Sequence, residues 1–287
     1  MSQANISVPL SLKVIRLVMR IIGTLSPQLG GYVIFKLFNT PLKRNRTEPS
    51  LNPSKFTVNY GQRTLVGYEW HGSGQRILLV HGWESSAARF KKLLKLLIEQ
   101  DYHVFAMDAP AHGFSTGLQT NPLDYADALH TFIRTIGDVD IILAHSLGGA
   151  ATMNLLARYP NVKPNRVILI GSIDHPQQAV DFFTDVFQLL PDVSKEMTRQ
   201  MEKFAGGSMD GVSGAKIAQS RQEQALIIHD REDKIVPVEA GRAIADNWHD
   251  AIYIETNGLG HRRILNDNTV LAQILDFIGQ REAVHSK

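Results

Sequence analysis

The chain has 287 residues, of which 44% are hydrophobic and 20% charged, and it contains no cysteine. This composition is typical of a globular protein that buries a substantial core, and it excludes disulfides and thiolate metal sites. The formal net charge of +2 conceals an asymmetry, because seven basic residues and no acidic residue precede Glu48. The remainder is mildly acidic. The absence of cysteine fits a reducing compartment, so the expected location is cytoplasmic.

Residues 1–50 are predicted to form a basic, apolar helical segment followed by a polar linker. Three of its cations, Lys13, Arg16 and Arg20, share one helical face. Apolar residues lie on the broadly opposite face. Such a helix either docks on its own domain or lies on an anionic membrane, and both interpretations stay open for residues 8–25. If the helix binds an anionic membrane, the expected location of the protein is peripheral, on the inner face of that membrane. Charges interrupt the apolar run, so neither a signal peptide nor a spanning helix is predicted.

After the linker, the pattern predicts strands and then an alternation of strands and helices. The segments "SKFTVNY" and "RTLVGYEW" flank Gly61 and Gln62 and predict a hairpin. Apolar runs such as "RILLV", "IILA", "RVILIG" and "QALIIH" then alternate with helical patterns. Strands that are apolar throughout are typical of a parallel sheet covered by helices on both faces. The predicted fold is α/β, with a core formed by residues 51–171 and 225–287.

An insertion over residues 172–224 breaks this alternation. Two amphipathic helical patterns within it predict a helical cap or lid. Large apolar side chains repeat along these patterns at spacings of three and four. Their role has two open interpretations, packing of the insertion or lining of an acyl pocket. The candidate pocket residues are Phe183, Phe187, Met197 and Met201.

Ser146 stands in "AHSLGG", between an apolar strand pattern and an apolar helix pattern. Ligand sites of open parallel sheets lie at the carboxyl ends of the strands, where this serine falls. Small neighbours, Gly148 and Gly149 among them, permit a tight strand-to-helix turn. We therefore interpret Ser146 as a candidate nucleophile, with helix capping as the alternative.

A serine nucleophile needs a base and an acid that orients the base. His261 lies in a glycine-bearing loop after the last predicted strand, where a base is expected. The loop after the preceding strand, "HDREDKIVP", offers Asp230, Glu232 and Asp233 as the acid. The order serine, acid, histidine is the one found in α/β-hydrolases.

A tetrahedral oxyanion needs two fixed N–H donors. Leu147 follows the candidate nucleophile at the start of a helix and supplies one donor. The loop after the first buried strand contains His81, Gly82 and Trp83, and the Trp83 N–H is the expected second donor. We interpret His81 as a brace for this loop, and His145 as a structural residue that points away from the nucleophile.

Together, "HGW", "DAPAHGFS", "AHSLGG", "HDREDKIVP" and "GLGH" resemble the α/β-hydrolase superfamily, in particular its lidded esterase-like and lipase-like serine hydrolases. The resemblance covers roughly residues 54–283. In the family's pattern Asp233 falls on the acid, and Asp230 replaces a more usual glycine. The resemblance therefore implies a triad of Ser146, Asp233 and His261.

The resulting prediction is a serine hydrolase of carboxylic esters or thioesters with a lipophilic acyl group. Amide or carbon–carbon bond hydrolysis would use the same residues, and a ligand-binding receptor on this scaffold is the rival from another class. No cofactor, metal or nucleic acid is expected, because no dinucleotide fingerprint and no metal-ligand spacing is present. The expected partners are a small ester and, through residues 8–25, an anionic membrane.

Overall fold

The computed structural model of the protein describes residues 10–280. Two residues of the predicted segment 8–25 and the last seven of the predicted core lie outside this range. The described residues form two compact units. Unit 1 comprises the described residues up to Asn39 together with Pro176–Gly211, and unit 2 comprises Thr40–His175 together with the described residues from Val212 onward.

The strands and helices of the described residues follow in chain order. The strands are β1 (Ser54–Tyr60), β2 (Arg63–Trp70), β3 (Arg76–Val80), β4 (His103–Asp108), β5 (Ile141–His145), β6 (Arg166–Ile170), β7 (Gln224–Asp230) and β8 (Ile252–Thr256). The helices are α1 (Leu10–Leu25), α2 (Pro27–Phe38), α3 (Lys91–Glu99), α4 (Pro122–Ile136), α5 (Leu147–Arg158), α6 (Pro176–Phe187), α7 (Pro191–Ala205), α8 (Gly214–Ala218), α9 (Val238–Asn247), α10 (Gly260–Arg263) and α11 (Asn268–Gly279).

Unit 2 is built on one sheet of eight strands within the described residues, in the order β1-β2-β4-β3-β5-β6-β7-β8. The first two pairings are antiparallel, and the others are parallel. The predicted α/β fold with a mostly parallel sheet is confirmed. Because side chains alternate across a strand, Leu78 and Val80 pack on the face covered by α4 and α5, whereas Ile77 and Leu79 pack on the face covered by α3 and α11.

The parallel strands bring several loops of unit 2 to one edge of the sheet. Ser146 follows β5, Gly171 follows β6, and the turn that contains Asp233 follows β7. The loop after β8 leads to His261 in the short helix α10. The carboxyl ends of parallel strands share one edge, so segments far apart in the sequence meet there.

Two buried histidines fix the loop that follows β3. The Ala109 N–H donates to Nε2 of His81 at 3.0 Å, and the Glu84 N–H donates to Nε2 of His112 at 3.0 Å. Each ring donates its Nδ1 proton to a nearby backbone carbonyl oxygen. Burial lowers the pKa of His81 to about 4, and burial together with proximity to His81 lowers the pKa of His112 to about 4. Both rings are therefore neutral at pH 7, as their hydrogen bonds require.

Lowering the pH from 7 to 5 is expected to reduce the free energy of unfolding. His81 and His112 titrate near pH 6.5 in the unfolded chain but have pKa values of about 4 in this fold, so the unfolded state binds more protons in this window. Urea unfolding at pH 7, 6 and 5 measures the effect. His112→Gln should be less stable at pH 7 with a shallower pH dependence, whereas the exposed His249→Gln should keep the parent slope. Equal parent stability at pH 7 and 5 would contradict this account.

Unit 1 joins the N-terminal helices to the helices of the insertion. A hydrophobic core is shared by α1, α2, α6 and α7, with Met19, Ile34 and Val193 among its buried members. Two segments that the sequence analysis treated separately therefore form one unit. Close approach at Gly31 permits this packing, because a Cβ atom there would lie 2.4 Å from Cγ of Glu196.

Gly31→Ala is expected to destabilise unit 1 by about 1–3 kcal/mol, since the added methyl group overpacks a closed contact between α2 and α7. Helix propensity alone predicts the opposite sign, a gain of about 1 kcal/mol. Gly207→Ala is the matched control, because a Cβ atom there has no neighbour within 4 Å. Thermal and urea unfolding measure both variants. A Gly31→Ala protein as stable as the parent would show that these helices do not pack this closely.

Candidate active site

Ser146 occupies a strained turn between β5 and α5. Its backbone has φ of 56° and ψ of −122°, a left-handed conformation that costs about 1–3 kcal/mol for a residue with a Cβ atom. The turn fits only because its neighbours are small. A Cβ atom on Gly82 would lie 2.8 Å from Cβ of Ser146, and one on Gly148 would lie 2.6 Å from the carbonyl oxygen of His81. The loop after β3 therefore lies directly against the serine.

Ser146, His261 and Asp233 form a continuous hydrogen-bonded chain. Nε2 of His261 lies 2.9 Å from Oγ of Ser146, and its Nδ1 lies 2.6 Å from Oδ2 of Asp233. An ionised carboxylate only accepts, so the ring donates its Nδ1 proton to Asp233. That tautomer leaves the Nε2 lone pair free to accept the serine proton. The structure thus brings together the three residues that the sequence singled out.

The Asp233 side chain is held by the turn in which it lies, and it is 1% exposed. Its Oδ1 accepts hydrogen bonds from the N–H groups of Ile235 and Val236 at 2.8 and 2.9 Å. Burial alone would raise the pKa of Asp233. Hydrogen bonds from His229 and His261 outweigh this effect, so the pKa lies well below its usual value. The carboxylate is therefore ionised at pH 7 and able to orient the histidine.

Asp230, the competing carboxylate, contacts the backbone next to the histidine instead of its ring. It accepts hydrogen bonds from the N–H groups of Gly260 and Leu259 at 2.8 and 3.0 Å and from the Thr256 hydroxyl at 2.7 Å. Burial raises the pKa of Asp230, but these bonds and one from the Glu232 N–H lower it below its usual value. Asp230 thus anchors the loop that carries His261. The sequence analysis identified both carboxylates as candidates, but it did not predict that one contacts the ring and the other the backbone.

His145 also supports the loop of His261, which corrects the expectation that it points away from the site. Its ring centroid lies 4.7 Å from that of His261, and its Nε2 donates to the His261 carbonyl oxygen at 2.9 Å. Burial, and then proximity to His261, lower the pKa of His145 to about 3, so the ring is neutral. The residue preceding the serine therefore helps to hold the backbone of the histidine.

Both predicted oxyanion donors belong to segments that meet at Ser146. Leu147 begins α5 immediately after the serine, and Trp83 follows Gly82 in the adjacent loop. Within residues 10–280, neither backbone N–H has an acceptor in the protein. Their role as oxyanion donors stays a prediction.

The residues predicted to line an acyl pocket lie in unit 1. Met197 is fully buried, and the others belong to the same hydrophobic core or pack against it. Their location corresponds to the packing interpretation, and a role in binding stays a prediction. The four are Phe183, Phe187, Met197 and Met201.

A cluster of metal-ligand types lies elsewhere in unit 2. Glu69, His71 and His103 each bring one nitrogen or oxygen atom within 4.8 Å of the others. Nε2 of His103 is 2.8 Å from Oε1 of Glu69. This cluster could not be predicted from the sequence, because it depends on the pairing of β2 with β4, which lie far apart along the chain. His103 begins its strand, whereas Ser146 follows the carboxyl end of β5, so the cluster is not part of the candidate active site.

Known proteins of similar sequence and structure include hydrolases. A 2-(acetamidomethylene)succinate hydrolase of Mesorhizobium japonicum is 36% identical over 110 residues, which cover 37% of this chain and 38% of that protein. A candidate non-heme haloperoxidase of Mycobacterium phage D29 is 25% identical over 229 residues, 66% of this chain and 82% of the other. An esterase from Exiguobacterium antarcticum superposes with a TM-score of 0.63 at 15% identity, over 79% of this chain and all of its own. That last likeness supports the fold.

The family assignment rests on a match to a family sequence model. The sequence model of the alpha/beta hydrolase family covers residues 77–274, from β3 into α11. This range includes Ser146, Asp233 and His261 and more than half of the chain. The chain belongs to the alpha/beta hydrolase family.

Proposed function

We propose that the protein is a serine hydrolase that cleaves a carboxylic ester or thioester with a lipophilic acyl group through an acyl-enzyme intermediate. The observation that carries the proposal is the chain from Asp233 through His261 to Ser146, with distances of 2.6 and 2.9 Å. A serine without such partners is a weak nucleophile. A helix-capping serine would need neither a histidine within hydrogen-bond distance nor a buried carboxylate behind it.

In the first half of the proposed reaction, Oγ of Ser146 attacks the carbonyl carbon while Nε2 of His261 takes the hydroxyl proton. Asp233 stabilises the positive charge that develops on the imidazole ring. The carbonyl oxygen becomes an oxyanion, and the N–H groups of Leu147 and Trp83 donate to it. Collapse of the tetrahedral intermediate breaks the bond to the leaving group. That group takes the proton from Nε2 and departs as an alcohol or thiol.

In the second half, water replaces the leaving group. Nε2 of His261 takes a proton from water as its oxygen attacks the acyl carbon, and the same N–H groups hold the second oxyanion. The bond between the acyl carbon and Oγ then breaks, and Ser146 regains its proton. The acyl group leaves as a carboxylic acid, and the enzyme returns to its starting state with no cofactor consumed.

The preference for a lipophilic acyl group rests on the character of unit 1. Apart from its buried core, this unit exposes large aromatic side chains, with Phe182 40% and Phe204 51% exposed. Such side chains suit irregular apolar ligands. Each methylene group removed from water contributes about 0.8 kcal/mol. Rates with p-nitrophenyl esters should therefore rise with acyl chain length before access becomes limiting.

A second candidate activity is peroxide-dependent halogenation, which the name of the phage relative favours. Hydrolysis of amides or carbon–carbon bonds would use the same triad. A panel of ester, thioester and amide substrates, together with a halogenation assay containing peroxide and halide, separates these reactions. Ester or thioester turnover that far exceeds the others is the expected result.

Ser146→Ala should reduce kcat/KM for p-nitrophenyl esters at least about a thousandfold, because no other group replaces the nucleophile. Ser220→Ala, which removes an equivalent hydroxyl from the other end of unit 2, is the matched control and should retain the parent rate. Circular dichroism checks that both variants are folded. A Ser146→Ala rate within about tenfold of the parent would contradict the proposal. Inactivity of the parent toward every substrate would favour the ligand-binding receptor instead.

The two carboxylates can be separated by Asp233→Asn and Asp230→Asn. Loss of the charge beside the ring at Asp233 should lower kcat about 10⁴-fold, because the amide favours the wrong tautomer. Asp230→Asn disturbs only the position of the loop and should cost about 10²-fold or less. Glu232→Gln, an exposed carboxylate in the same turn, is the control and should be silent. A greater loss at Asp230 than at Asp233 would overturn these roles.

A further inference from the structure

Helix α1 exposes a continuous apolar face. Six of its large apolar residues are between 45% and 82% exposed: Leu10, Val14, Leu17, Val18, Ile21 and Leu25. At 100° per residue, these six side chains fall within an arc of about 100°. The stripe runs the full length of the helix, about 24 Å at 1.5 Å per residue. Exposed apolar residues are ordinary when scattered, but a contiguous stripe of this kind marks an interaction surface.

The exposed stripe is not the face with which α1 packs on its own unit. Met19 is 4% exposed, and Leu12 and Ile15 pack against the core of unit 1. Nε of Arg16 donates to the carbonyl oxygen of Val186 at 2.8 Å, which ties the helix to α6. The helix is therefore anchored by one face and leaves a second apolar face outside, and among residues 10–280 no side chain covers it. The sequence analysis considered one apolar face, and the structure adds a second, around Met19, which is the face that packs.

Positive charge borders the exposed stripe. Lys13 and Arg20 are exposed, and by helical geometry both lie along the same edge of the stripe. The first acidic residue of the chain is Glu48, so α1 and α2 carry none. An apolar face with cations along its edge is the arrangement that binds the surface of an anionic bilayer, because long basic side chains reach the headgroups while the apolar face enters the acyl region.

We propose that α1 lays its exposed apolar face into the surface of an anionic lipid bilayer. No helix within residues 10–280 is long and apolar enough to cross a membrane, so binding would be peripheral. Charge complementarity favours this partner over a second copy of the chain, because two copies meeting at this face would bring together helices that carry cations and no acidic residues. The proposal is independent of the proposed catalytic activity.

Flotation of the full chain with phosphatidylglycerol and phosphatidylcholine vesicles tests this proposal. The protein should bind the anionic vesicles, bind the zwitterionic ones much less, and dissociate as salt rises. Lys13→Gln together with Arg20→Gln should lower the partition coefficient about 25-fold, about fivefold per cation. Lys91→Gln together with Lys163→Gln removes two exposed cations of unit 2 and should change it less than twofold.

The apolar component is tested by Leu17→Gln together with Ile21→Gln, which should abolish binding to anionic vesicles. Leu118→Gln removes a side chain that is 82% exposed on unit 2 and should bind as the parent does. Ser146→Ala should also bind as the parent does, so failure of catalysis and failure of membrane binding are distinguished. Circular dichroism and thermal unfolding verify that each variant is folded.

Two results would overturn the proposal. One is a parent protein that ignores phosphatidylglycerol vesicles at low salt. The other is a parent that forms a dimer in the absence of lipid, which Leu17→Gln with Ile21→Gln dissociates, since the stripe would then be an interface between copies. Analytical ultracentrifugation of the parent and this variant decides between a dimer interface and a lipid-binding face.

Discussion

The left-handed backbone of Ser146 is the constraint on which the rest of the candidate site depends. A single residue at φ of 56° turns the chain from β5 into α5, and its hydroxyl lies 2.9 Å from Nε2 of His261. The same turn places the Leu147 N–H at the start of a helix. The loop after β3 packs so closely against this turn that a Cβ atom at position 82 would clash with Ser146, and Gly82 has none. Nucleophile and oxyanion donors thus follow from one local geometry.

His261 is held by several buried groups, each of which contacts a different part of the residue or its loop. Asp233 contacts the ring of His261, whereas Asp230 and His145 contact its backbone and that of its neighbours. Only Asp233 needs its charge to orient the ring. His81 must be neutral, because its Nε2 accepts a hydrogen bond from the Ala109 N–H. Burial lowers the pKa of His81 and of His145, and so keeps both rings neutral. The histidine is therefore held by two carboxylates, one at its ring and one at the neighbouring backbone, and by a neutral imidazole ring.

Most of the fold could be predicted from local patterns, which also indicated Ser146 and His261, whereas the choice of Asp233 among three acidic residues came from the family resemblance. Apolar runs separated by helical patterns indicate a parallel sheet, and the order of Ser146, Asp233 and His261 along the chain places them at its carboxyl edge. The contacts of Asp230 were beyond reach, because its partners Leu259 and Gly260 lie about thirty residues away and offer only backbone groups. Whether a carboxylate meets a ring or a backbone depends on the exact course of two loops.

The organisation of unit 1 shows a different limit. Helix α1 is apolar over more than one face, so periodicity could not decide which face is buried. The buried face of α1 is determined by tertiary packing: α2 contacts α7 closely at Gly31, and the N-terminal helices share a core with the insertion. Pairing between segments more than 150 residues apart leaves no local signal. The exposed apolar stripe of α1 could therefore be identified only from the tertiary packing.

The central claim is that Ser146 becomes covalently acylated during turnover. The most direct measurement is mass spectrometry of the protein after reaction with a fluorophosphonate, followed by peptide mapping. The account predicts one adduct per chain, on the peptide that contains Ser146, and its loss in His261→Gln because the hydroxyl then lacks its base. An unmodified protein, or an adduct on a different residue, would contradict it.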